Sequence, residues 1–332
     1  MRDMKKKVRN ANVQYLRGIG ILAIVMYHFP MFYKLTAVDY IQKYMRFGQA
    51  NELFFVIAGY FIAEKCFQNK WDVSCSVKYI KSRISRFVVP LFAWGGTAAI
   101  TGFVIGVFSK EQSVAYFFSA VMFWENIYNY YNPNYFGYLW FIACEFQFML
   151  MFSFLLPFLK KNQMMILLSI MLLLLTFYHP HIVTGLLFEF HGLIIGIMLW
   201  KLCAAYPLLD KFTKISTRNK QVIIIACITI GLVMSKAVRA DISFTVSSVF
   251  FCIALMAALS TNDMLYGKCG KVIKCLGDAS YSIYLCHIPI ILLANYFLRD
   301  TEIYNNVPVY FALVMFCIGT VGMFSKKYIE SI

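Results

Sequence analysis

The chain has 332 residues, is 61% hydrophobic with a mean hydropathy of +0.66, and carries a formal net charge of +15. That apolar content excludes an ordinary water-soluble domain, and the many apolar runs near bilayer length read as a multi-pass membrane protein. Ten cysteines without a CxxC pair or metal-ligand spacing point to no zinc site and no disulfide framework.

The basic stretch "MRDMKKKVRN" opens the chain, and a long apolar run follows it without a small-residue cleavage site. It reads as a cytoplasmic tail before a retained first helix. Apolar runs then fall near residues 12–32, 48–65, 87–108, 136–158, 163–178, 183–201, 221–236, 242–260, 279–298 and 306–325. The fold class expected is an all-α polytopic integral membrane protein of about ten transmembrane helices. If the N-terminus is cytoplasmic, 23 of the 31 Lys and Arg lie in cytoplasmic segments, as the positive-inside rule requires. Both termini are then cytoplasmic, and the basicity calls for no nucleic-acid partner.

No Pro, Gly or Ser-rich linker divides the series, so residues 1–332 read as a single membrane domain with a basic tail over 1–11. The aromatic segment 109–135 reads either as an interfacial helix with an aromatic belt or as a lid over an outer cavity.

Ionisable groups inside spans are costly and therefore mark function by default. Here they are Arg17, His28, Glu52, Glu145, Glu189, His191 and His287. Eleven residues of helix turn the chain by about 1100° and rise about 16 Å. Arg17 and His28 thus share a face three turns apart, with His28 and the acidic groups nearer the outer side. The pattern suggests a polar chamber reached from the cytoplasm, in which His28 serves as a base if a carboxylate orients it. Arg83 and Arg86, one turn apart in "KYIKSRISRFVVPLFAW", read either as positive-inside anchors or as a fork for phosphates. His179 and His181 in "YHPHI" lack the further ligands a metal needs.

Five stretches then resemble the acyltransferase-3 family of membrane acyltransferases. "LRGIGILAIVMYHF" is similar to its first-helix arginine, ten residues, histidine pattern; "NELFFVIAGYFI" to its second-helix block; "SRISRFVVPLF" to its R-x-x-R stretch. "YLWFIACEFQFML" is similar to its Leu-Trp-Phe block and "LGDASYSIYLCHIPI" to its late S-Y-x-I-Y-L-x-H block. The resemblance implies transfer of an acetyl or other acyl group from cytoplasmic acetyl-CoA, as acyl donor, to a hydroxyl of a surface or secreted glycan. It implies a multi-pass protein of the cytoplasmic (inner or plasma) membrane, in contact with lipids and a glycan or lipid-linked sugar acceptor, with no metal.

By the same resemblance His28 is the catalytic base or a transient acyl carrier, with Glu145 first and Glu52 second as its partner. Arg17, Arg83 and Arg86 are the donor-binding residues. Glu189, His191, His287 and Trp140 are expected on the acceptor side, although Glu189 and His191 stand where the family has an apolar helix and read equally as adapting the acceptor pocket or as a structural pair with their neighbours. Ala58 replaces the serine of the second-helix block, so that position supplies no nucleophile. These residues leave no room for an appended esterase-like domain, so transfer is expected to be completed by the membrane domain or with a separate partner. The competing reading is a transporter or exporter of a polysaccharide or lipid-linked sugar, whose buried charges line a substrate path.

Overall fold

A computed structural model describes residues 10–67, 70–133, 136–177, 189–260 and 268–330. Among them the backbone is helical, with no strand. Most of the basic tail, His179 and His181 lie outside the described residues.

Helix α1 (Ala11–Phe32) begins where the Asn10 side chain accepts the backbone N–H groups of Asn12 (2.9 Å) and Val13 (3.2 Å). Two orphan first-turn donors are thereby satisfied. The continuous helix carries both Arg17 and His28 and contains Pro30 near its end. Short α2 (Thr36–Gln42) precedes α3 (Ala50–Phe67) and α4 (Val73–Val104). At 32 residues, α4 is about 48 Å long against a bilayer core of about 30 Å, so its first turns, with Arg83 and Arg86, can project past the core.

The aromatic segment folds into α5 (Lys110–Val121) and α6 (Glu125–Tyr131), followed by α7 (Trp140–Leu155) and α8 (Lys161–Phe177). Phe118, Met122, Trp124, Ile127 and Tyr131 are exposed along one side of α5 and α6, which suits an interfacial belt. The other side is committed inward: the Tyr116 hydroxyl donates to the Phe136 carbonyl at 3.0 Å, and Glu125 and Asn126 are buried.

Then come α9 (His191–Ala205), α10 (Leu208–Thr213), α11 (Thr217–Ala237) and α12 (Ala240–Leu259). The chain closes with α13 (Lys268–Asp278), α14 (Ser280–Leu298), α15 (Glu302–Asn305) and α16 (Val307–Tyr328). Among the described residues, seven helices are long and apolar enough to cross a membrane, namely α1, α4, α7 with its leading turn, α11, α12, α14 and α16. The other three apolar runs of the sequence fall on α3, α8 and α9. Of these, α3 carries Glu52, Glu64 and Lys65, while α8 and α9 have 17 and 15 residues among those described, and the first part of the run near 183–201 lies outside the described residues.

Close backbone approach builds the centre. α3 packs on α9 and α1 on α13. A Cβ on Gly59 would overlap the Leu193 carbonyl, and one on Gly196 the Val56 carbonyl. Small residues four apart, Gly192 and Gly196, let these helices touch where hydrophobic driving force between helices is absent.

Candidate functional site

α1 and α14 bring His28 and His287 together across 259 positions of sequence, with His28 Nδ1 and His287 Nε2 3.2 Å apart. His287 is fully buried, whereas His28 keeps part of its ring accessible. Hydrogen-bond chemistry assigns the protons. A carbonyl only accepts, so His287 Nδ1, 2.7 Å from the Tyr284 carbonyl, carries its hydrogen, and its Nε2 is an acceptor in the neutral ring. The hydrogen between the rings therefore belongs to His28 Nδ1, which also faces the Ile24 carbonyl at 3.0 Å. His28 Nε2 is left with its lone pair, the form a general base needs.

The surroundings hold this pair rigidly. The Tyr138 ring lies 5.2 Å from that of His287, nearly perpendicular, and its hydroxyl donates to the Leu285 carbonyl at 2.7 Å. In return, the Tyr284 hydroxyl donates to the Tyr138 carbonyl. This reciprocal clasp locks the turn before α7 to the segment of α14 that carries His287.

Below the pair, a cavity of about 760 Å³ extends from Asn10 and Gln14 to Phe54, Phe141 and Tyr284. Arg17, Arg83, Arg86 and Glu145 line it. Arg17 sits 6.0 Å from the Phe54 ring and Arg83 5.1 Å from the Tyr79 ring, so aromatic faces seat both guanidinium groups. Three arginines around one concave space offer the donors that could engage an anion with several charged oxygens. The inner end reaches Tyr284, one turn of α14 before His287.

Glu145 lies on this cavity wall, in the field of Arg83, Arg17 and Arg86. The ring that meets His28 belongs instead to His287. Glu52 turns elsewhere: its Oε2 accepts the Gly192 N–H and the Ser248 hydroxyl, each at 2.8 Å. It forms a second polar cluster between α3, α9 and α12, beside the Glu189 and His191 pair at 3.5 Å. His191 stacks on Phe244. Trp140 is buried at the start of α7 with its ring 6.2 Å from Phe55. The structure thus gathers Arg17, Arg83, Arg86 and Glu145 at the cavity, His28 and His287 above it, and Glu52, Glu189 and His191 in a separate place.

Sequence reasoning passed over Glu125. Phe123 adopts φ 59°, unfavourable for a bulky residue, and stacks on Phe146 at 3.9 Å. A reciprocal amide pair, Asn126 with Gln147 at 2.9 Å in both directions, clamps the following turn to α7. Glu125 is consequently 1% exposed, and neither carboxyl oxygen has a hydrogen-bond partner among the described residues. The available signal was an acid inside "FWENIYNYY", a stretch too aromatic for a solvated loop.

Burial holds the Glu125 carboxyl well above the usual carboxylate range. Above the ordinary carboxylate pKa of about 4.3, the unfolded chain loses this proton while the folded chain keeps it, so the group erodes stability as pH rises. Glu125→Gln is expected to match wild type near pH 4 and to be progressively more stable toward pH 8. Thermal unfolding of the detergent-purified protein across that range checks this, and parallel curves would refute it.

Comparison with curated proteins and with solved structures gave no match. The model of an acyltransferase domain, that of the acyltransferase-3 family, matches residues 10–325, and with the apolar helices it shows that the chain belongs to this family of membrane acyltransferases.

Proposed function

We propose that the protein is an O-acyltransferase that moves an acetyl group from cytoplasmic acetyl-CoA to a hydroxyl of a cell-surface or secreted polysaccharide, across the cytoplasmic membrane. The observation that carries this reading is the stacking of two sites along α1: an arginine-lined cavity beside Arg17, and three turns on, the histidine pair containing His28. Arg17, Arg83 and Arg86 suit the phosphates of CoA, and the pantetheine arm points its thioester along the cavity toward Tyr284 and the histidines.

His28 Nε2 takes the proton of the acceptor hydroxyl as its oxygen attacks the thioester carbonyl carbon. The C–S bond of the tetrahedral intermediate then breaks, and the departing CoA thiolate takes the proton from the His28 imidazolium. Ester and CoA thiol are the products, so the proton ledger closes without another group. His287 Nε2 accepts from the His28 Nδ1–H throughout, a bond that strengthens when His28 is cationic. Glu145, among the arginines, limits the positive charge on the cavity wall and keeps the fork oriented. In this reading His28 acts as a base, and the thioester is consumed without an acyl-histidine.

The test compares surface glycan from wild-type, deletion and His28→Ala strains by mass spectrometry. Loss of an acetyl ester in both mutant strains is expected, and unchanged acylation in both removes the polysaccharide reading. Purified protein in vesicles with radiolabelled acetyl-CoA separates donor from acceptor: CoA release that depends on added glycan supports the enzyme, whereas glycan flux without CoA release supports transport.

A further inference from the structure

Arg86 does not stand alone at the cavity. Its Nη2 donates to Glu330 Oε1 at 3.1 Å, and the other carboxylate oxygen accepts from the Ser282 hydroxyl at 3.2 Å. The Glu330 side chain is only 6% exposed and that of Arg86 33%, so the carboxylate lies inside and the guanidinium lies partly open. Just past α16, the backbone N–H groups of Ile329 and Glu330 both donate to the Ser325 carbonyl, at 2.8 and 3.0 Å. The Ser325 hydroxyl in turn accepts from the Trp94 indole at 2.8 Å, and Trp94 lies two turns along α4 from Arg86. The Tyr281 hydroxyl, next to Ser282, donates to the Phe87 carbonyl at 3.3 Å. Three helices therefore converge on one guanidinium.

A mobile carboxylate would compete with an incoming anion. This carboxylate has a largely buried side chain, is bonded at both oxygens and sits on a turn tied to α4 through Ser325 and Trp94. It engages one of the five N–H donors of a planar fork and leaves the others for the cavity that Arg86 lines. We propose that Glu330, held by Ser282, is a positioning residue that fixes the Arg86 guanidinium for a phosphate of the acyl donor. The proposal rests on the reading of Arg86 as a donor-phosphate contact and adds a residue that touches neither donor nor acceptor. It works as outer carboxylates do elsewhere, by fixing the orientation of the group that binds.

The experiment measures steady-state kinetics of the full-length protein in vesicles, with acetyl-CoA and with acetyl-pantetheine, which has no phosphate. Glu330→Ala is expected to raise KM for acetyl-CoA about tenfold, to change kcat less than about twofold, and to leave KM for acetyl-pantetheine unchanged. Glu330→Asp should recover part of the loss. Ser282→Ala removes one hydroxyl, shifts KM the same way by less, and serves if Glu330→Ala does not fold. A lower or unchanged KM for acetyl-CoA in Glu330→Ala, with Arg86→Ala raising it, overturns positioning and leaves the proposed function standing. An equal rise with both donors marks a general packing role and also overturns it. If Arg86→Ala itself leaves the acetyl-CoA KM unchanged, the phosphate reading of Arg86 fails, and this proposal fails with it.

Discussion

His28→Ala is expected to lower kcat for acyl transfer by about 10²- to 10⁴-fold while leaving donor KM nearly unchanged. That range is what a positioned general base contributes, and the arginines proposed to bind the donor line a cavity that His28 does not, Arg17 near the other end of α1 and Arg83 and Arg86 on α4. His287→Ala should cost less, about tenfold to a hundredfold, because it removes the acceptor that fixes the His28 tautomer and not the base itself. The decisive measurement is the double variant. If His287 acts only through His28, removing it after His28 is gone costs nothing more, and the two losses are strongly non-additive. Additive losses would show that His287 meets substrate directly. His287→Gln offers a finer check, since an amide can keep an acceptor toward His28 and a donor toward the Tyr284 carbonyl, and it should retain more activity than alanine.

That pairing shows where sequence reading stops. Periodicity along α1 places Arg17 and His28 on one face, and the structure has both on one continuous helix, about 16 Å apart along its axis. Nothing in a one-dimensional pattern couples α1 to α14, so the sequence alone puts His287 on the acceptor side and leaves its ring contact with His28 invisible. Depth alone put Glu145 within reach of His28, but depth does not fix azimuth. Glu145 turns toward the arginines because α7 meets α4 on that side. Glu52 shows the same limit, since its direction is set by Gly192 on α9, where the absent side chain leaves room for a carboxylate. The membrane-protein class was legible because composition and charge asymmetry act over the whole chain. The number of full-length spans is less so, because polar groups interrupt the apolar run on α3, and among the described residues α8 and α9 cover 17 and 15 positions.

The largest stability effect is expected at the crossing of α1 and α13. A Cβ on Gly277 would overlap the carbonyl oxygen of Gln14, and one on Gly18 would overlap the carbonyl oxygen of Ile273, so the two backbones meet at two points with no space for a methyl group. A crowded side chain can rotate away, but a helix backbone can move only as a body. Gly277→Val should therefore cost more than the about 1–3 kcal/mol of ordinary overpacking, and most of the protein should be lost as aggregate on detergent extraction. Gly319→Ala is the matched control, because its added methyl meets only a Leu276 side-chain carbon at an ordinary 3.6 Å. Fluorescence-detected size-exclusion profiles of the two variants make the comparison, and a monodisperse Gly277→Val peak at wild-type yield would refute the packing argument. The same crossing has a functional consequence. α1 carries Arg17 to the cavity and His28 to the histidine pair, and α13 leads directly into α14, which carries Tyr284 and His287. A milder Gly277→Ala variant that still folds must shift α1 against α14, and it should lose transfer activity well before it loses donor binding, because a hydrogen bond of 3.2 Å between two rings tolerates less displacement than a charge fork does.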